Sequence, residues 1–211
     1  MQLIAIVSML VDHIGLIFFP DDPLWRVIGR LAFPMYAYRI VTGFKHTRNR
    51  RLYAKRLAII GTAAQLPYMI AFDTWRVNVI ATFLVAIGVL WVLERYRGNA
   101  ASFLCAGAAA VALDLLQFEY GSYGLFLILI YRYLTSHAMV AAHTALNLVY
   151  AFYADWILQF ASLVSTLLLA YGPRLIKAVE KIPVPRWLWL SFYPAHLAVL
   201  ASVDLILKAG G

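Results

Sequence analysis

Asp12 and His13 sit side by side in the middle of a run, Leu3 to Phe19, whose only other non-apolar positions are Ser8 and Gly15. A titratable residue at bilayer depth costs roughly 2.5 to 3.5 kcal/mol even on the lenient insertion scale. An anchor would carry Leu or Val at both places. The pair therefore reads as a buried reactive or ion-handling site with partners on other helices. Imidazole titrates near neutral pH and suits general base work, and a carboxylate can fix its tautomer. Neighbouring residues on a helix point about 100° apart. Asp12 is thus expected to pair across the bundle with Arg30, and Asp114 or an amide to reach His13. In the plainer alternative, the Asp12–Arg30 pair only fixes helix packing and His13 is a hydrogen-bonded strut.

Further polar residues punctuate the apolar segments. Arg30 could hold a carboxylate, a phosphate or a developing oxyanion. Pro34, one turn on, frees the carbonyl of Arg30 and predicts a kink beside a cavity. Gln65 and Tyr68 lie about one turn apart, Asn78 opens a segment and Asp114 closes one. His143 and Asn147 are four apart, hence on one helical face. Tyr193 and His196 are three apart. These eight form the expected substrate-binding set. The stretch KHTRNRRLYAKR supplies Lys45, His46, Arg48, Arg50, Arg51, Lys55 and Arg56. It could bind an anion such as the phosphates of coenzyme A, or serve topology and anionic lipid alone. No Walker loop, Cys cluster or HExxH motif is present. His13, His143 and His196 fall on separate segments without ligand spacing, so no metal is expected. Cys105 lies in an apolar stretch and reads as packing rather than as a nucleophile.

The elements that must position these residues follow from composition. Of 211 residues, 64% are hydrophobic and 13% charged, and the mean hydropathy is +0.78. Soluble chains carry roughly 25% charged residues. The expectation is one all-α domain over 1–211: a polytopic membrane bundle of about nine transmembrane helices. The apolar stretches run 3–19, 28–44, 57–72, 77–94, 100–116, 121–134, 138–153, 156–171 and 187–207, of which 156–171 could be re-entrant. The first lacks a basic leader and a cleavage site and reads as an uncleaved helix. The net charge of +8 is concentrated in alternate loops. Arg95, Arg97, Arg132, Arg174, Lys177, Lys181 and Arg186 join the first basic stretch. Topology therefore explains the charge better than nucleic acid does. The positive-inside rule puts the N-terminus in the cytosol and the C-terminus outside the plasma (inner) membrane. Asp12, His13, Arg30 and Asp114 then share one outer layer.

DHIG, GRLAFPMYAY, HTRNRRLYAKRL leading into QLPY, Asn78, EYGSYG and FYPAHL occur in that order. Together they resemble the TraX family of membrane acetyltransferases, named for the one that acetylates the N-terminus of conjugative pilin. The resemblance covers nearly the whole chain. It implies Asp12 and His13 in the active site, with Arg30 and His196 in or near it. It implies acetyl-CoA as donor and as cosubstrate. The expected reaction moves an acetyl group from cytosolic acetyl-CoA to an amine or hydroxyl at the outer side, either a protein N-terminus or an envelope glycan. His13 would act as base or as an acetyl-carrying nucleophile. A proton-coupled small-solute transporter is the rival class, because buried Asp, His and Arg also build proton relays. It lacks the two-half repeat of many such carriers.

Overall fold

The structure, a computed structural model, describes residues 1–180 and 184–210. Those residues form eleven α-helices: α1 (Gln2–Phe18), α2 (Pro23–Gly29), α3 (Ala32–His46), α4 (Arg50–Ala71), α5 (Val79–Arg95), α6 (Ala100–Leu115), α7 (Gly121–Tyr133), α8 (Ser136–Ala154), α9 (Leu163–Tyr171), α10 (Pro173–Glu180) and α11 (Arg186–Gly210). A 3-10 segment, Ile157–Ser162, leads into α9. Each of the nine apolar stretches contains helix, and no strand occurs among the described residues.

Two boundaries differ from expectation, each for a local reason. The segment 28–44 is not one kinked helix. The Asp22 carboxylate caps α2 by accepting from Leu24 N–H at 2.9 Å, with Pro23 in the first turn. The helix stops at Gly29 and the chain restarts at Ala32. Pro34 then falls in the first turn of α3, where its missing N–H costs little. Ser165 from α9 donates to the Leu31 carbonyl at the break, 2.8 Å. The basic stretch is likewise not all loop. Asn49 caps α4 by accepting from Leu52 N–H, so Arg50 to Arg56 are helical.

Among the described residues one helix, Trp187–Gly210, is long and apolar enough to cross a membrane. Gln2–Phe18, Ala100–Leu115 and Ile157–Tyr171 are apolar but shorter. The nine expected full spans therefore appear as an all-helical bundle of mostly shorter helices. Its outside is rich in large apolar side chains, among them Phe103 and Leu104 on α6, Phe152 on α8 and Ile206 on α11. Patches of this kind mark lipid or protein contact.

The packing order sets the site. α11 lies along α4 and touches α1, and α1 packs on α2 and α3. α5 is flanked by α4, α6 and α7, and α8 and α9 close the side behind α3 and α7. Phe33 of α3 stacks on Tyr120, centroids 3.7 Å apart. Two turns are fastened together at one end of the bundle. Glu119 N–H donates to the Val77 carbonyl at 2.8 Å, Val79 N–H to Glu119 Oε2 at 3.0 Å, and the Thr82 hydroxyl to the Glu119 carbonyl at 2.6 Å.

Candidate active site

A cavity of about 450 Å³ lies between α1, α3, α4, α5 and α11. Gln2, Arg39, Gly43, Tyr53 and Arg56 line one end, and Asp12, His13, Glu119, Tyr120 and Tyr193 the other. At 1.5 Å per residue, α1 carries the wall about 16 Å from Gln2 to His13. The middle is apolar, with Ile40, Leu57, Ile80 and Phe83.

His13 on α1 and His196 on α11 are 183 positions apart in sequence, yet His13 Nδ1 and His196 Nε2 are 2.7 Å apart. The neighbouring bond fixes the protons. His196 Nδ1 lies 2.6 Å from the Phe192 carbonyl oxygen, which can only accept, so Nδ1 carries the hydrogen. In a neutral ring Nε2 is then bare and accepts from His13 Nδ1–H. His13 Nε2 is left with a lone pair and no protein partner among the described residues. Phe192 stacks on His196 at 4.6 Å and Phe72 meets His13 edge-on at 5.0 Å. A neutral, oriented imidazole with its free nitrogen in a lined cavity is what a general base or an acyl-accepting nucleophile requires.

The expected Asp12–Arg30 pair does not form. Asp12 Oδ1 is 2.8 Å from Arg26 Nη1. The turn after α1 brings α2 back alongside it, and Arg26, one turn before Arg30, is the arginine that reaches. The helices touch closely at Gly29, where a Cβ would stand 2.0 Å from Asp12 Oδ1. Arg30 Nη1 instead donates to the Tyr120 hydroxyl at 3.3 Å. Asp114 does not approach His13 either. It caps α7, taking Ser122 N–H at 2.7 Å and the Ser122 hydroxyl, which also meets Tyr150. His196 fills the role expected of Asp114.

The remaining expected residues separate into groups. Gln65 and Asn78 are joined at 2.7 Å and hold the start of α5, where Asn78 also binds the Gly61 carbonyl and caps Ile80 N–H. Tyr68 is buried against Phe72. His143 and Asn147 do share a face, but they serve a closed network. Both bond the Tyr123 hydroxyl at 2.9 Å, His143 also meets Thr166 at 2.6 Å, and Gln159 joins Tyr123 at 3.0 Å. None of these lines the cavity. Of the basic set only Arg56 does, joined by Arg39. Arg48, Arg50 and Arg51 line a second pocket of about 370 Å³ with Phe44 and Trp91, and Arg50 is paired with Glu94 at 2.7 Å. Lys45 and His46 are exposed at the end of α3, His46 bonding the Thr42 carbonyl. Lys181 lies outside the described residues.

Arg26, Glu119 and Tyr120 were not singled out by sequence. Arg26 lay outside the apolar stretches, and Glu119–Tyr120 belonged to a short loop, though EYG stands within a motif of the resemblance. Burial pushes the Glu119 carboxyl up to about 7; the nearby Asp12 adds to this, while Val79 N–H, Arg26 and Arg30 oppose it.

Comparison with known proteins agrees with the ordered motifs. The TraX protein family model matches residues 1–204. The chain is 27% identical to the probable fimbrial assembly protein FimC, serogroup H1, of Dichelobacter nodosus, over 99% of this chain and 96% of that protein. It is 31% identical to protein TraX of Escherichia coli, over 96% of this chain and 85% of that one. No solved structure matches. A family model spanning all but the last few residues, together with a relative aligned nearly end to end, assigns the chain: it belongs to the TraX family.

Proposed function

We propose that this protein is a membrane acetyltransferase that moves an acetyl group from cytosolic acetyl-CoA to an amine or hydroxyl acceptor at the outer side. The observation that carries the reading is the cavity joining Arg39 and Arg56 to the free Nε2 of His13. Guanidinium groups suit phosphates, and the apolar middle suits a pantetheine chain. The bundle sits in the inner membrane with the N-terminal, arginine-bearing end toward the cytosol, by the loop charges and the apolar exterior.

The acceptor's nucleophilic atom attacks the thioester carbonyl carbon and its proton passes to His13 Nε2. The tetrahedral adduct expels the thiolate of coenzyme A, which takes that proton from His13. One C–N or C–O bond forms and one C–S bond breaks. Alternatively Nε2 itself attacks first and an acetyl-histidine delivers the group in a second step. His196 stabilises the charge on His13 in either route by accepting the Nδ1–H bond. The Dichelobacter relative is named for fimbrial assembly, so the N-terminus of a pilin-like subunit is the acceptor we favour.

The test is protein reconstituted in liposomes with labelled acetyl-CoA and a pilin N-terminal peptide. Label should move to the peptide, and His13→Ala should abolish transfer while leaving the helical spectrum intact. A folded His13→Ala variant with full transfer would overturn the mechanism. Failure of the wild type to bind coenzyme A would overturn the reading, and proton flux would then be the assay of choice.

A further inference from the structure

Resting on this acetyl-transfer reading, we infer that the hydroxyls of Tyr120 and Tyr193 form the oxyanion site, and that Arg30 acts only through Tyr120. A developing oxyanion is one of the ligands the sequence offers Arg30, but its guanidinium does not line the cavity. What it does is donate to the Tyr120 oxygen at 3.3 Å. That bond uses a lone pair of the hydroxyl and leaves its hydrogen free. No described residue accepts that hydrogen, and Tyr120 lines the cavity. A phenol receiving a hydrogen bond from a half-buried cation is a stronger donor than a free one. Its ring is fixed by stacking on Phe33, and its backbone is left-handed at φ +61°. That conformation is unfavourable for a non-glycine residue and persists where the surroundings enforce it.

Tyr193 supplies the second donor. It is 6% exposed, its hydroxyl has no hydrogen-bond partner among the described residues, and it lines the same cavity. A buried hydroxyl is seldom left unpaired, so the missing partner is sought in the cavity. Val79 N–H, which also faces Tyr193, is committed to Glu119, and an N–H could not take the proton in any case. Tyr193 stands three residues before His196 on α11, with ring centroids 5.8 Å apart. The two residues therefore share a face, and His196 holds His13. A thioester carbonyl placed for attack beside His13 Nε2 has both hydroxyls at the same end of the cavity. When the nucleophile adds, the carbonyl π pair moves to oxygen. The two O–H groups hold that charge until the pair returns and the C–S bond breaks. Donors aimed at developing charge each contribute about 10²- to 10³-fold to rate.

The experiment measures acetyl transfer by wild type, Tyr120→Phe, Tyr193→Phe, Arg30→Gln, the Arg30→Gln/Tyr120→Phe double variant and His13→Ala. The same proteins are examined by infrared spectroscopy of bound ¹³C-carbonyl acetyl-CoA. Each Phe variant should lower kcat about 10²-fold or more with KM little changed. Each should also move the thioester carbonyl stretch to higher frequency relative to wild type. Arg30→Gln should have a smaller effect that vanishes in the Tyr120→Phe background. Phe variants with wild-type kcat and an unshifted carbonyl band, beside an inactive His13→Ala, would overturn this inference and leave the transferase reading standing. A wild type that transfers no acetyl and binds no acetyl-CoA would overturn both.

Discussion

His13 and His196 divide their labour through a single shared proton. The Phe192 carbonyl sets His196, His196 sets His13, and the free lone pair emerges at the far nitrogen. The Asp12–Arg26 pair stands beside this chain rather than in it, so Asp12 is a positioning group for α2 and a local counter-charge. Glu119 is the carboxyl that shares the cavity with it. Its folded pKa of about 7 lies above the ordinary 4.5, so the folded state holds this proton more tightly than the unfolded state. The associated stability is complete below about pH 4.5 and is lost as pH rises through about 7. Wild type should therefore melt at a higher temperature at pH 5 than at pH 7.5, and Glu119→Gln should flatten that slope. Equal slopes in the two proteins would show that Glu119 does not titrate in this window.

At the scale of elements, the approach of α2 to α1 depends on Gly29. A methyl group there would meet the Asp12 carboxylate. Overpacking costs about 1–3 kcal/mol, so Gly29→Ala should lower the melting temperature by several degrees and loosen the Asp12–Arg26 contact. Gly88 on α5 has open space around its Cβ position. Gly88→Ala should be neutral or stabilising by up to about 1 kcal/mol through helix propensity, which makes it the matched control. The same helices show what the sequence could carry. Hydrophobic runs located α1, α5, α6, α7 and α8 to within two residues or so, because apolar segments in a helical bundle must close their own backbone hydrogen bonds. Hydropathy could not see that Asn49 starts a helix inside a basic stretch, or that Asp22 and Gly29 delimit a short one. Pro34 reads as a kink from sequence because its position relative to a helix start is invisible until that start is known. Asp12 and His13 were legible as costly burials. Their partners were not, because which side chain reaches depends on how α2 and α11 fold back, and composition does not encode that.

Over the whole molecule, the basic stretch is divided between two cavities. Arg56 goes to the long one with Arg39, which lies outside the stretch, and Arg48, Arg50 and Arg51 go to the smaller pocket. If the long cavity takes the donor, Arg39→Glu with Arg56→Glu should weaken coenzyme A binding about 10- to 100-fold, the value of one or two charge-assisted hydrogen bonds. Arg50→Glu with Arg51→Glu should change it far less. Calorimetry in detergent distinguishes the two, and a larger loss from the second pair would move the donor site to the other pocket. The bond between the 77–79 and 117–119 turns bears on a practical matter. The 117–119 turn lies outside any helix, yet Glu119 ties it to the Val77 carbonyl and to Val79 and Thr82 at the start of α5. Surface turns are the customary place to insert an epitope or a fluorophore. Here an insertion between Gln117 and Glu119 would unpick the end of the cavity, whereas the turn around Arg97 and Gly98 carries no such fastening to another loop among the described residues and is the better place for a reporter.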